Sequence, residues 1–366
     1  MRRWRLCLLA ATASLFACLP AGCDSPAPAG PDPVDARIAA ASQPEQTPGA
    51  TADGLAKLAA EPGWSDDQRC KILLAEAAVL EKQAQWTPAA ALATSALSLP
   101  ALTQPRRIDA LRARAFEYRH LENFPAARAD YDAILALPDL DLDDHQAVLL
   151  RRAITWLASN RTDHALADLT AGLALPGLTD PQAVELLAVR SQIAANRGQW
   201  AAARADCDAR LALKNIPGAA RAVALLDRAD IDEAQQHTAD ALADAAAALA
   251  VVGIAPDQQA RAHLSRGILL LEQGGNIAAA RRELHAVADV PAAPQAMRQQ
   301  SWLELGLIDL YHGDTAAAWN ERAAALQLGA LDPSDQPLAL RLAAAYHAAQ
   351  GDPDQARKDL TAALQL

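Results

Sequence analysis

The side chains that could do chemistry in this 366-residue chain are mostly charged groups on a fixed spacing. Arg114, Arg152, Arg190, Arg228 and Arg266 stand 38 residues apart. A second column holds Asp130, Asp168, Asp206, Asp244, Glu283, Glu321 and Asp359. In the pairs Arg114/Asp130, Arg152/Asp168, Arg190/Asp206 and Arg228/Asp244 the acid follows its arginine by 16 residues. Such a ladder could bind a charged ligand, but a repeated ion pair fixing helix register explains it more simply. His263 and His285 are an isolated pair, read as solvated or packed rather than as metal ligands. Asp227, Asp230 and Glu233 cluster on one segment and read as a solvated acidic face. The sequence has no H-E-x-x-H, no G-x-S-x-G, no phosphate-binding G-x-x-x-x-G-K and no paired C-x-x-C. The expectation is a protein that is not an enzyme and uses no cofactor or metal.

What would position these charges is an internal repeat. Ala89, Ala127, Ala165, Ala203, Ala241, Ala280, Ala318 and Ala356 recur at steps of 38 residues, with one step of 39 at Gly274-Gly275. Twelve residues before the alanines a small residue recurs, from Ala77 and Ala115 to Gly306 and Ala344; with the inserted residue allowed for, Gly267 fills this column. Leu97, Leu135, Leu173, Leu211, Leu249, Leu326 and Leu364 follow the alanines by eight, with Ala288 the exception. Large apolar residues fall at three- and four-residue steps in each half, with breaks at Asn196-Arg197-Gly198, Gly313-Asp314 and Gly351-Asp352. Each unit is thus helix, turn, helix, and the small residues let helices approach closely. A period in this range marks a solenoid, in which each unit buries its apolar face against the next. Cys70 and Cys207 lie more than three units apart, too far for a disulfide, and Cys207 reads as a small buried hydrophobe.

On these residues the chain resembles the tetratricopeptide repeat family. The seventh unit carries Trp302-x2-Leu305-Gly306, Gly313-Asp314, Ala318, Ala325, Leu326 and Leu328. The eighth has Ala344, Gly351-Asp352, Ala356, Leu360, Ala363 and Leu364; the second has Leu111, Ala115, Tyr118, Phe124, Ala127, Tyr131 and Leu135. The family's unit is about 34 residues, shorter than the 38 here. The resemblance implies an all-α, right-handed solenoid of about eight repeats, near 70–103, 108–141, 146–179, 184–217, 222–255, 260–293, 299–332 and 337–366. It also implies ligands on a concave face built by the first helices. Carried over, that face offers Leu264, Ile268, Leu271, Leu303, Leu307, Leu310 and Tyr311 in units six and seven. Unit two offers Arg112, Phe116, Arg119 and His120, and unit five the acids Asp227, Asp230 and Glu233. One reading is a groove for an apolar helix or peptide; the other is that these leucines pack between neighbouring units. The lysines and asparagines of the family's carboxylate clamp are missing.

The ends bear on location. Residues 1–22 read as a signal segment: a basic start, Met1-Arg2-Arg3-Trp4-Arg5, then an apolar run from Leu6 to Leu19 too short to span a membrane. Pro20-Ala21-Gly22-Cys23 resembles a bacterial lipobox with Cys23 lipidated, and Leu15-Phe16-Ala17-Cys18 is the rival, with Cys18. Residues 23–54 read as a disordered Pro/Ala-rich tether, and 55–69 as a cap helix before the solenoid at 70–366. Without Arg2, Arg3 and Arg5 the formal charge moves from −11 to −14, which argues against nucleic acid as a partner. The expected role is an interaction scaffold, lipid-anchored in the bacterial envelope and facing the periplasm, on the inner or the outer membrane. It would bind other proteins or peptides, with self-association through a last repeat that lacks a closing helix. An accessory role in polysaccharide export or cell-wall synthesis is the alternative, disfavoured by an aromatic content of 4%.

Overall fold

The computed structural model describes residues 33–42, 47–274 and 276–365, and among them every regular element is an α-helix. The helices are α1 (Pro33–Ala41), α2 (Pro48–Ala60), α3 (Asp66–Glu81), α4 (Trp86–Leu97), α5 (Gln104–His120), α6 (Phe124–Leu135), α7 (Leu142–Ala158) and α8 (Thr162–Leu173). They continue as α9 (Asp180–Asn196), α10 (Trp200–Ala212), α11 (Gly218–Ala234), α12 (Thr238–Leu249), α13 (Pro256–Glu272), α14 (Ile277–Ala288), α15 (Gln295–Tyr311), α16 (Thr315–Gln327), α17 (Gln336–Ala349) and α18 (Pro353–Gln365). From α3 onward they pair as eight antiparallel hairpins. Two compact units result, one within residues 21–182 and one within 183–366.

The turn inside each hairpin has one construction. A residue with positive φ ends the first helix at Ala84, Glu122, Asn160, Gly198, Gln236, Gly274, Gly313 and Gly351. The next amide donates back to a carbonyl five residues earlier, as in Gln85 to Leu80, Asn123 to Tyr118, His237 to Asp232 and Asp314 to Asp309. This Schellman closure satisfies carbonyls that the helix end would leave bare. Several second helices then start on a side-chain cap: Asn123, Asn276 and Asp314 accept from the amides of Ala126, Ala279 and Ala317.

The alanine columns form the seam. Ala89, Ala127, Ala165, Ala203, Ala241, Ala280 and Ala318 are fully buried, and Ala356 is buried. In the partnering small column a Cβ on Gly267 would lie 2.8 Å from Leu284. One on Gly306 would lie 2.9 Å from Leu342 Cδ1 and 3.2 Å from the Ala318 carbonyl oxygen. Close backbone approach sets the residue type there. Large side chains fill the flanks: Ile108, Leu111, Tyr131, Ile134 and Val148 form one cluster, and Leu303, Leu338 and Leu342 belong to another.

Three boundaries differ from the sequence reading. Residues 33–41 and 48–54, expected within an extended spacer, are helical in α1 and the start of α2. Val34, Leu55, Leu58 and Ile72 form a core there, with Ile38 and Trp64 against it, so this Pro/Ala-rich stretch buries enough apolar surface to fold. Lys71 on α3 binds Asp35 at 2.9 Å, and Arg37 binds Glu61 at 2.6 Å. The cap helix expected over 55–69 is α2, ending at Ala60. Seven first helices begin four residues before the expected repeat starts, because capping residues such as Ser65 and Asp141 set the boundary ahead of the first large apolar side chain. The signal segment, Cys18 and Cys23 lie outside the described residues.

Candidate interaction surface

The ladder arginines project from the first helix of their hairpins and meet the acids of the second. Arg114 donates to both oxygens of Asp130 at 3.0 and 2.7 Å, and Arg152 to Asp168 at 2.9 and 2.6 Å. Arg190 holds Asp206 at 2.9 and 2.6 Å, and Arg228 holds Asp244 at 2.7 Å through both nitrogens. All four acids are buried. These side-chain hydrogen bonds raise the arginine pKa values. Arg152 also reaches Asp132, and Arg228 reaches Asp208, each at 2.6 Å on the preceding hairpin. The ladder thus closes hairpins and ties neighbours together. Arg266 pairs with Glu283 at 3.1 Å, while Asp359, with no arginine in its column, takes His347 at 2.8 Å.

A second set of staples joins consecutive hairpins from the residue just after a seam alanine. Arg128 lies over Trp156, 4.1 Å from the ring centre, and donates to Ser159 at 3.3 Å. Arg204 contacts the fully buried Asp232, and Arg281 contacts Asp309. In the seventh hairpin Trp319 takes the place of the arginine and stacks on Tyr346 at 4.5 Å. Sequence reasoning missed these contacts because the acceptor changes type from unit to unit. The basic or aromatic residue after Ala127, Ala203, Ala280 and Ala318 was the available signal.

The acids of unit five are not a solvated face. Arg210, buried in α10, binds Asp227 at 2.7 Å, and Arg261 on α13 holds both Asp227 and Asp230. Burial opposes ionisation of Asp227, but Arg210 and Arg261 outweigh it and hold that carboxyl below its ordinary range. Burial wins at Asp230 and raises it. Asp232, His237 and Asp240 bring ligand atoms within 4.8 Å of one another, yet Arg204 already lies against Asp232 and 4.0 Å from Asp240. A guanidinium therefore stands where a cation would be drawn. His263 binds Glu283 at 2.7 Å, whereas His285 sits 3.5 Å from Asp289 and edge-on to Trp302. The two histidines serve separate contacts. Burial pushes the Cys70 and Cys207 thiols up to about 11, far from nucleophilic use.

The apolar run read from units six and seven packs on the cores of its hairpins, with two leucines buried and four of its side chains half-buried. Leu264 and Leu303 are buried. Ile268 and Leu271 pack on the core of Leu264, Leu284 and Val287, and Leu307 and Leu310 on that of Leu303, Leu338 and Leu342. Only Tyr311 among these side chains is exposed, at 81%. The spacing that marks a face as apolar does not say whether the next hairpin covers it. In unit two, Arg112 is engaged by Asp109 and Asp144. Phe116, Arg119 and His120 stay together and gain a partner the sequence did not show. His120 stacks flat on Trp86 at 4.0 Å, Phe116 meets His120 edge-on at 4.6 Å, and Arg119 lies 5.2 Å from the Phe116 ring centre. His120 is exposed at the end of α5, and partial burial of its ring against Trp86 and Phe116, followed by the Arg119 charge, lowers its pKa.

No family model matches the sequence, and no curated protein does. Solved structures do match in shape. The apo form of RapI aligns with 91% of this chain and 94% of its own at TM-score 0.61 and 12% identity. A tetratricopeptide repeat protein from Parabacteroides merdae covers 75% of this chain and 98% of its own, at TM-score 0.51 and 16% identity. The apo form of the quorum sensor NprR from B. thuringiensis covers 76% and 80%, at 0.51 and 12%. With the seam alanines, the repeated turn and the paired helices, these likenesses give the chain the tetratricopeptide-repeat fold.

Proposed function

We propose that the protein is an interaction scaffold that holds another protein or a peptide, and that the Trp86–Phe116–Arg119–His120 patch is a contact point. The observation that carries this is how the charges are used. The ladder and the staples commit their own arginines and acids to holding hairpins together, while the patch leaves stacked rings at the surface beside the partly exposed Leu121. Flat aromatic area beside a guanidinium suits an apolar or aromatic side chain of a partner. Crosslinked purification from membranes should show partners recovered with the wild type and reduced roughly tenfold or more with Trp86→Ala/His120→Ala. Wild-type recovery with that double variant removes the patch from the reading. Tyr311→Ala, on an isolated exposed ring, serves as the control.

The tether belongs to the same proposal. Among the described residues no helix is long and apolar enough to cross a membrane. The anchor reading rests on Pro20-Ala21-Gly22-Cys23, with Leu15-Phe16-Ala17-Cys18 as the rival. Radiolabelled palmitate should enter the wild type and be lost in Cys23→Ser; loss in Cys18→Ser alone would move the anchor. A wild type that takes no label ends the lipoprotein reading.

A further inference from the structure

Glu117 breaks a column. The equivalent positions on other first helices are Val79, Ile193, Ile231, Leu269 and Ile308, with Thr155 and Tyr346 the polar members. Thr155 satisfies its hydroxyl on the Arg151 carbonyl at 2.9 Å. Glu117 has no such solution: it is fully buried, and neither carboxyl oxygen meets a hydrogen-bond donor. What faces it from α3 is a second acid, Glu81, within hydrogen-bonding reach. Arg114, one turn earlier on α5, is committed to Asp130 on α6 by two hydrogen bonds. Asp130 brings more negative charge, and α4 contains no titratable side chain. Two ionised carboxylates facing each other here would have nothing to accept from. One proton between them turns an acceptor into a donor and removes a buried charge.

We propose that Glu81 and Glu117 share one proton, and that this proton latches the first hairpin, α3/α4, onto the second, α5/α6, so that rising pH loosens the joint. Burial first, then the Glu81 charge, push the Glu117 carboxyl up to about 8 from an ordinary 4.5, and burial raises Glu81. In the unfolded chain the proton leaves near the ordinary value, and in the folded protein near the raised one. The stabilising contribution is therefore complete below about 4.5, declines as pH climbs, and is gone above about 8.

Amide hydrogen exchange on the full chain, corrected for intrinsic rates and followed from pH 5.5 to 9, tests the latch. Peptides from α3 and α4 should open more readily with pH in the wild type, by at most about tenfold per unit for one proton, and level off above 8. Glu117→Gln keeps the shape without the titration and should lose that rise. Glu117→Leu restores the column's apolar character and should give a flat profile even if the glutamine variant folds poorly. A wild-type rise that persists in either variant overturns the proposal. So does an infrared difference spectrum between wild type and Glu117→Gln at pH 6.5 that lacks a protonated carboxyl band.

Discussion

Ala84, Glu122 and Gln236 hold φ of 56°, 57° and 63° at the hairpin turns, a region that a Cβ makes costly. Gly198, Gly274, Gly313 and Gly351 occupy the same place without that strain. Ala84→Gly and Gln236→Gly should each stabilise by about 1 kcal/mol in urea unfolding, and Gly313→Ala should lose a similar amount. Were Ala84→Gly neutral or destabilising, the turn would not be the source of strain. The thiols give a second prediction at this scale. With Cys70 and Cys207 raised to about 11, neither should react with an aromatic disulfide reagent at pH 8 until denaturant is added. Rapid labelling of the native protein would contradict their burial.

Between helices, the ladder and the seam make different demands. Removing one partner of Arg152–Asp168 strands a charge inside the hairpin, so Arg152→Leu should cost about 2 kcal/mol. Arg152→Leu with Asp168→Leu should recover most of that, because a well-packed apolar pair replaces a desolvated ionic one at little loss. A thermal-denaturation double-mutant cycle reads the difference, and additive losses would show that the pair does not act as a unit. Gly306→Val should cost roughly 1–3 kcal/mol by forcing Leu342 and the Ala318 carbonyl apart. Both features were legible in the chain because the same residue types recur at the same step. The Arg204–Asp232 and Arg128–Trp156 staples were not, since an acid in one unit is a ring in another. Nor was the cover over Leu264 and Leu303: periodicity marks an apolar side but not the neighbour that buries it. Residues 33–54 were misread as spacer because alanine and proline dominate, although Val34 packs with Leu55 and Leu58 of the expected cap helix to build a core.

At the scale of the molecule, each hairpin within a unit draws its stability from the hairpins beside it in that unit. Unfolding should therefore proceed in parts, with a van't Hoff enthalpy below the calorimetric one. Equal enthalpies would mean a single cooperative block. An array of near-identical modules also faces a hazard that a unique core does not: a module can dock on the wrong neighbour and be trapped. The changing staples answer it. Arg204 has a carboxylate waiting at Asp232, Arg128 a ring at Trp156, and Trp319 a ring at Tyr346. A hairpin that skipped its neighbour would bring Arg128 to Ala194, or Arg204 to Leu270. The modules share one shape but carry different fastenings, and those fastenings write their order.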